Sequence, residues 1–209
     1  MLRAVFFDFG GVILSSPFEA FNHYEAAQGL PANFIRSVNS VNPDDNAWAK
    51  LERSDISPIE FDEVFARESE ALGHRVPGAD VLSLLHGEIR PDMVNALDRI
   101  NEAGYVLACL TNNVLSDQPV AVDAADRLRQ DELRAVLARF SAVIESSKVG
   151  VRKPETRFYE IACETVNVQP DECVFLDDLG INLKPAAAMG MQTIKVANST
   201  QALTELSQV

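Results

Sequence analysis

Four short apolar runs in this chain end in residues able to do chemistry. "RAVFFD" ends in Asp8 and is followed by Phe9, Gly10 and Gly11; "YVLACLT" ends in Thr111, followed by Asn112 and Asn113. "SAVIE" leads through Ser146 and Ser147 to "KVGVRKP", which carries Lys153, and "CVFLDD" ends in the doublet Asp177-Asp178. Together they supply three carboxylates, a hydroxyl, two amides and a lysine. Carboxylates are hard oxygen donors and suit Mg²⁺, which takes one or two of them together with water and substrate phosphate. Thr111 and Asn112 can hydrogen-bond phosphate oxygens, and Lys153 can present a point charge to a group in transfer. A carboxylate can also attack phosphorus itself and form an aspartyl-phosphate. Glycines after Asp8 leave room for backbone N–H groups and a carbonyl to approach a metal or a phosphate.

Taken singly, most of these residues have a plainer reading. Thr111-Asn112-Asn113 reads as a turn, Lys153-Pro154 as a helix entry, and Asp177-Asp178 as a helix N-cap pair. Asp8 fits a plain reading less well, because a carboxylate buried in an apolar run without a partner is costly. The functional reading gains its weight from where the set would lie.

Five runs read as buried strands: 3–8, 105–111, 141–145, 173–178 and 192–196. Most are continuous apolar runs, as expected for parallel strands covered on both faces. Helical patterns at 91–103, 124–140, 155–167 and 181–189 separate the later ones, with a polar stretch beginning near 116 expected to start as a loop. This alternation predicts a doubly wound α/β fold with a parallel sheet, in which ligands gather at the carboxyl ends of the strands. Residues 16–88 hold no convincing strand and read as helices at 18–28, around 44–53 and at 58–72. The last opens with Ser57, Pro58 and Glu60, an N-cap serine with proline at the first helical position and a capping-box glutamate. The expected organisation is an α/β core of residues 1–15 and 89–209 with a helical cap, residues 16–88, inserted after the first strand.

The 209 residues carry a net charge of −13, with 47% hydrophobic and 23% charged residues. That composition fits a folded globular protein and disfavours nucleic acid or an anionic membrane as partner. Cys109, Cys163 and Cys173 are widely spaced without a CxxC pair and read as buried free thiols in a reducing compartment. No leader pattern precedes residue 5 and no apolar run approaches the ~20 residues of a membrane span, so the expectation is a cytoplasmic protein. Among the three histidines, His23, His74 and His86, only His23 falls where it could reach the mouth of the site. Trp48 reads as part of the cap's own core.

The chain resembles the haloacid dehalogenase superfamily, whose members are mostly Mg²⁺-dependent phosphohydrolases with an aspartate nucleophile. "FFDFGGV", "ACLTNN", "VGVRKPETRFY" and "VFLDDLGINLKPAAAMGMQTI" match its four motifs in order. "LTNN", "IESSKVGVRKPE" and "VFLDDLGINLKPA" are most similar to the N-terminal phosphatase-type domain of soluble epoxide hydrolases; epoxide hydrolysis itself is not implied. The resemblance implies Asp8 as nucleophile and metal ligand, the Gly10 carbonyl and Asp178 as further Mg²⁺ ligands, and Asp177 close behind Asp178. It implies Thr111 and Asn112 on the phosphoryl oxygens, Lys153 holding nucleophile and phosphate together, Asn182 behind the ligands, and a small phosphorylated metabolite as substrate.

One position departs from the family's pattern. Its phosphatases place an aspartate two residues after the nucleophile, where it protonates the leaving oxygen and later activates water; here stands Gly10. A positioned general acid or base contributes about 10²–10⁴-fold. Two alternatives therefore stand beside the phosphohydrolase: a metal-independent 2-haloacid dehalogenase, and a catalytically weak or inactive phosphate-binding or regulatory protein. Adjacent carboxylates near Asp8 repel one another without a cation between them, which weighs against the first alternative.

Overall fold

A computed structural model describes residues 1–85, 87–113 and 124–209. Five strands form one sheet, β1 (Ala4–Phe7), β2 (Val106–Thr111), β3 (Ala142–Glu145), β4 (Cys173–Asp177) and β5 (Gln192–Lys195), in the order β3-β2-β1-β4-β5. All four pairings are parallel. Each expected strand is present. β1 is buried along its whole length because it lies at the centre with layers on both sides. Its side chains alternate: Ala4 and Phe6 join one apolar cluster with Leu110, Tyr159 and Phe175, while Val5 and Phe7 join another with Leu107, Leu97 and Val174. A period-two backbone inside a two-sided core thus needs apolar residues at every position.

Helices α6 (Pro91–Glu102), α7 (Ala124–Leu137), α9 (Thr156–Val166) and α10 (Gly180–Ala188) occupy the expected crossover positions. α8 (Ser146–Val149) and α11 (Ser199–Leu206) were not expected. α8 is a single turn without helical periodicity to read, and α11 is short, started by Asn198, whose side chain accepts from Gln201 N. The loop expected from 116 falls largely outside the described residues.

Between β1 and α6 lie α1 (Phe18–Gln28), α2 (Phe34–Ser40), α3 (Ala47–Glu52), α4 (Pro58–Ala71) and α5 (Gly78–Ser83). They enclose their own apolar cluster, centred on Phe21, Ile35, Leu51, Phe61 and Phe65. The α4 start forms as its sequence dictates: Ser57 accepts from Glu60 N, and the Glu60 carboxylate accepts from Ser57 N, an arrangement worth about 1 kcal/mol. α2 and α5 were not expected; at seven and six residues they show little helical period, and Pro77-Gly78, a pair typical of turns, opens α5. Gly78 is needed there for packing: a Cβ would lie 2.7 Å from the Asp62 backbone.

The two chain segments joining this helical insert to the sheet pair with each other. Leu14 and Ile89 form an antiparallel bridge, with Ser15 N donating to Glu88 O at 2.7 Å and Arg90 N to Ile13 O at 2.9 Å. Among the described residues no helix is long and apolar enough to cross a membrane.

Candidate active site

The chain runs outward from β1 through β2 to β3 and then returns across β1 to β4. The carboxyl ends of β1 and β4 therefore flank the point where strand order reverses, the place where open α/β sheets bind ligands. Asp8 stands there directly after β1, its N–H donating to Leu176 O on β4 at 2.9 Å. Its carboxylate accepts from Phe9 N at 2.6 Å and pairs with Lys153 Nζ at 2.7 Å. Asp177 ends β4, and its Oδ2 meets the same Lys153 Nζ at 2.9 Å. Lys153 is 1% exposed and Asp177 0%.

Asp177 is held from every side. Leu179 N donates to its Oδ1 at 2.7 Å, and Asn182 Nδ2 donates to both oxygens at 3.1 and 3.0 Å. Asn182 is itself located by the Tyr159 hydroxyl, which donates to its backbone carbonyl at 2.7 Å. Asp178 is the more accessible member of the doublet, with the Ser16 hydroxyl 3.4 Å from its Oδ2.

The two glycines after Asp8 have opposite meanings. Gly11 has φ +76°, and a Cβ there would overlap the Asp178 carboxylate, so neither its backbone nor its surroundings admit a side chain. Gly10 has φ −70° and ψ 134°, open to any residue, and an added Cβ would meet nothing within 4 Å.

Asn112 turns its side chain to Lys153. Its amide grips the backbone of Lys153, Oδ1 accepting from Lys153 N at 2.9 Å and Nδ2 donating to Lys153 O at 3.0 Å. Nδ2 also lies 3.2 Å from Glu52 Oε2, on α3 of the helical insert. Both hydrogens of the amide are thus directed at Lys153 O and Glu52 Oε2. Thr111 ends β2, two residues beyond Cys109, the register partner of Phe7, and so lies beside the Asp8 strand end. Asn113 ties the ends of β2 and β3 together, donating to Glu145 at 2.7 Å and accepting from the Ser147 hydroxyl at 2.7 Å.

His23 is exposed on α1, and His74 packs edge-on against Phe34; His86 lies outside the described residues. Trp48 packs edge-on against Phe61 and donates to Glu52, in keeping with a place in the insert's core. All three cysteines are buried free thiols.

Ligand oxygens of Asp8, Asp177 and Asp178 lie within 4.8 Å of one another. Burial raises the Asp8 carboxyl well above its ordinary range against the attraction of Lys153, with Asp177 and Asp178 adding repulsion. Burial and the Asp177 charge push Asp178 up to about 6. Burial opposes the Lys153 charge, but Asp177 and Asp8 overcome it and hold the ammonium above its usual range. One ammonium therefore faces three carboxylates, an imbalance that a divalent cation on the Asp8 and Asp178 oxygens would correct. The donor set, all hard oxygen, fits Mg²⁺.

Glu52, Arg152, Ser16 and Tyr159 were missed by sequence reasoning. Arg152 stood beside Lys153 in a quoted motif, but nothing in "AWAKLERS" marks Glu52 as reaching across to β2.

Residues 2–190 match the family model described as haloacid dehalogenase-like hydrolase, and the chain belongs to that family. Over 98% of its length it is 34% identical to Acyl-CoA dehydrogenase family member 10 of Mus musculus, and over all of it 33% identical to bifunctional epoxide hydrolase 2 of the same species. The chain spans only 19% and 39% of those two proteins. It is 30% identical to phosphatase MT3486 of Mycobacterium tuberculosis over 96% of its own length and 89% of that protein's. Its fold superimposes on a HAD-family enzyme of Bacteroides thetaiotaomicron, solved with magnesium and inorganic phosphate, with a TM-score of 0.64, 18% identity and 99% of each chain covered.

Proposed function

We propose that this hydrolase is a Mg²⁺-dependent phosphohydrolase that cleaves a small phosphate monoester through an aspartyl-phosphate on Asp8. The observation that carries the reading is the convergence of Asp8 and Asp177 on one buried ammonium, Lys153, with an Asp178 oxygen within 4.8 Å of theirs. A full-length relative named as a phosphatase supports it. Asp8, Asp178 and the Gly10 carbonyl would hold Mg²⁺, with Asp177 behind them locked to Asn182 and Lys153. When bound, the ion neutralises the carboxylates and the phosphate oxygens.

Asp8 Oδ attacks phosphorus in line, forming an acyl phosphate as the P–O bond to the leaving group breaks; the leaving oxygen departs as an oxyanion and takes its proton from water. Water then attacks that phosphorus, returning Asp8 as a carboxylate and releasing inorganic phosphate. Lys153 keeps its proton throughout and serves as a fixed charge between Asp8 and the transferred group. Thr111 and backbone N–H groups after β1 and β2 bind the phosphoryl oxygens. No side chain at position 10 protonates the leaving oxygen, so esters with acidic leaving groups, such as anomeric or acyl phosphates, react fastest. Residues 16–88 act as a cap over a core of residues 1–15 and 89–209, and a small phosphorylated metabolite is the substrate.

The carboxylate imbalance that supports Mg²⁺ disfavours a metal-independent 2-haloacid dehalogenase. Release of phosphate from an ester panel and of chloride from 2-chloropropionate, each with Mg²⁺ and with EDTA, separates them. Mg²⁺-dependent phosphate release is expected; chelator-insensitive chloride release refutes the proposal.

A further inference from the structure

The helical insert touches the strand ends through the last turn of α3. Glu52 is 6% exposed. Its Oε1 accepts from the Trp48 indole N–H at 2.9 Å, one turn back along the helix. Its Oε2 accepts from Arg152 Nε at 2.5 Å and from Asn112 Nδ2 at 3.2 Å. The next two residues also reach the core: Arg53 pairs with Glu155 at 3.8 Å, and the Ser54 hydroxyl donates to Ser147 O at 3.3 Å. Arg152 continues the contact by donating to Pro43 O at 3.1 Å.

Asn112 turns this contact into a lever on Lys153. An amide nitrogen has two hydrogens. One goes to Lys153 O and the other to Glu52, while the amide oxygen takes Lys153 N. Both amide hydrogens are therefore used, and the amide's orientation is fixed from both sides. Two residues, Asn112 and Lys153, link Glu52 to Asp8: Glu52 holds Asn112, Asn112 holds the Lys153 backbone, and Lys153 Nζ sits on Asp8. Burying a carboxylate here is costly, and burial does raise the Glu52 carboxyl above its ordinary range against the Arg152 charge. Such a cost at a contact between two apolar clusters is more than docking alone requires.

We propose that Glu52 is a positioning residue for the reaction at Asp8, holding the Asn112 amide and through it the Lys153 backbone, so that seating of the helical insert and presentation of the Lys153 ammonium are linked. The proposal rests on the phosphohydrolase reading for its kinetic consequence, not for its geometry.

The test compares wild type, Glu52→Gln, Glu52→Leu, Asn112→Ala and the Glu52→Leu/Asn112→Ala double variant with p-nitrophenyl phosphate and Mg²⁺. Loss of hydrogen bonds to a charged group predicts kcat for Glu52→Leu about 10-fold lower with KM within about twofold of wild type. Glu52→Gln, which keeps an acceptor, should fall between the two and carries the comparison should the leucine variant not fold. In the Asn112→Ala background, Glu52→Leu should cost nothing further. An unchanged kcat with a lowered melting temperature, a rise in KM alone, or multiplying effects in the double variant would each overturn the proposal. A crystal structure of Glu52→Leu is the readout independent of turnover. The Asn112 amide should leave one or both backbone groups of Lys153; retention of both contacts overturns the proposal. Should wild type cleave no phosphate ester, the functional reading fails and this crystallographic comparison alone decides the positioning role.

Discussion

Gly11 carries the Asp178 carboxylate directly against its α-carbon. A Cβ at position 11 would occupy the space of that carboxylate, and the φ of +76° is one that side chains rarely adopt. The glycine is thus a requirement of the acidic cluster as well as of the turn. Gly11→Ala should cost about 1–2 kcal/mol in backbone strain and also displace Asp178. The expected result is a fall in Mg²⁺ affinity, read by titrating phosphatase activity with the metal, larger than any change in KM for the ester. Unchanged Mg²⁺ affinity would remove Asp178 from the ligand set.

Position 10 invites the opposite experiment. Its backbone suits any residue and its Cβ direction is open. Gly10→Asp should therefore fold without a steric cost and supply the missing proton donor. Hydrolysis of alkyl phosphates, with poor leaving groups, should rise by about 10-fold or more, toward the 10²–10⁴ of a positioned acid. Esters of acidic phenols should gain little. The ratio of kcat/KM for the two ester classes measures this, and equal gains for both would point to some other origin.

The acidic cluster should tie stability to pH in a direction that Mg²⁺ reverses. Burial raises Asp8, and raises Asp178 to about 6, above the unfolded-state value. The native state then binds more protons than the unfolded chain between that ordinary value and about pH 6, so metal-free stability falls as pH rises through this window. Mg²⁺ requires the ionised carboxylates, so its stabilisation should be small at pH 5 and large at pH 8. Thermal melts with EDTA and with Mg²⁺ at the two pH values test both signs.

Lys153 should matter for folding as well as for chemistry. It is the shared cation of Asp8 and Asp177, at 2.7 and 2.9 Å. Removing one partner of a buried pair costs about 3–5 kcal/mol. Lys153→Met should lower stability by that order in urea unfolding without metal, and Mg²⁺ should restore part of it by taking up the exposed negative charge. A variant as stable as wild type would mean the carboxylates are already protonated.

How much of this was legible in advance follows from range. Strand ends were legible, because continuous apolar runs with polar ends mark buried parallel strands; Asp8, Asp177 and Asp178 stand on such ends, while Lys153 follows β3 only after the α8 turn. The capping box of α4 was legible, because its two hydrogen bonds lie within four residues. The Asn112 grip on Lys153 and the Glu52 contact join residues 41 and 60 positions apart, and no local pattern encodes either. α2, α5 and α8 were hidden for the reverse reason: at four to seven residues they are too short for a helical period to emerge.

The central claim is that Asp8 is the group that attacks phosphorus. Initial rates of Mg²⁺-dependent phosphate release from p-nitrophenyl phosphate by wild type and Asp8→Asn test it most directly. Asparagine keeps the shape and the Phe9 N–H contact but is no nucleophile, so the rate should fall by at least about 10³-fold, as for removal of other covalent nucleophiles. A rate for Asp8→Asn equal to that of wild type, with the same Mg²⁺ dependence, would contradict the account.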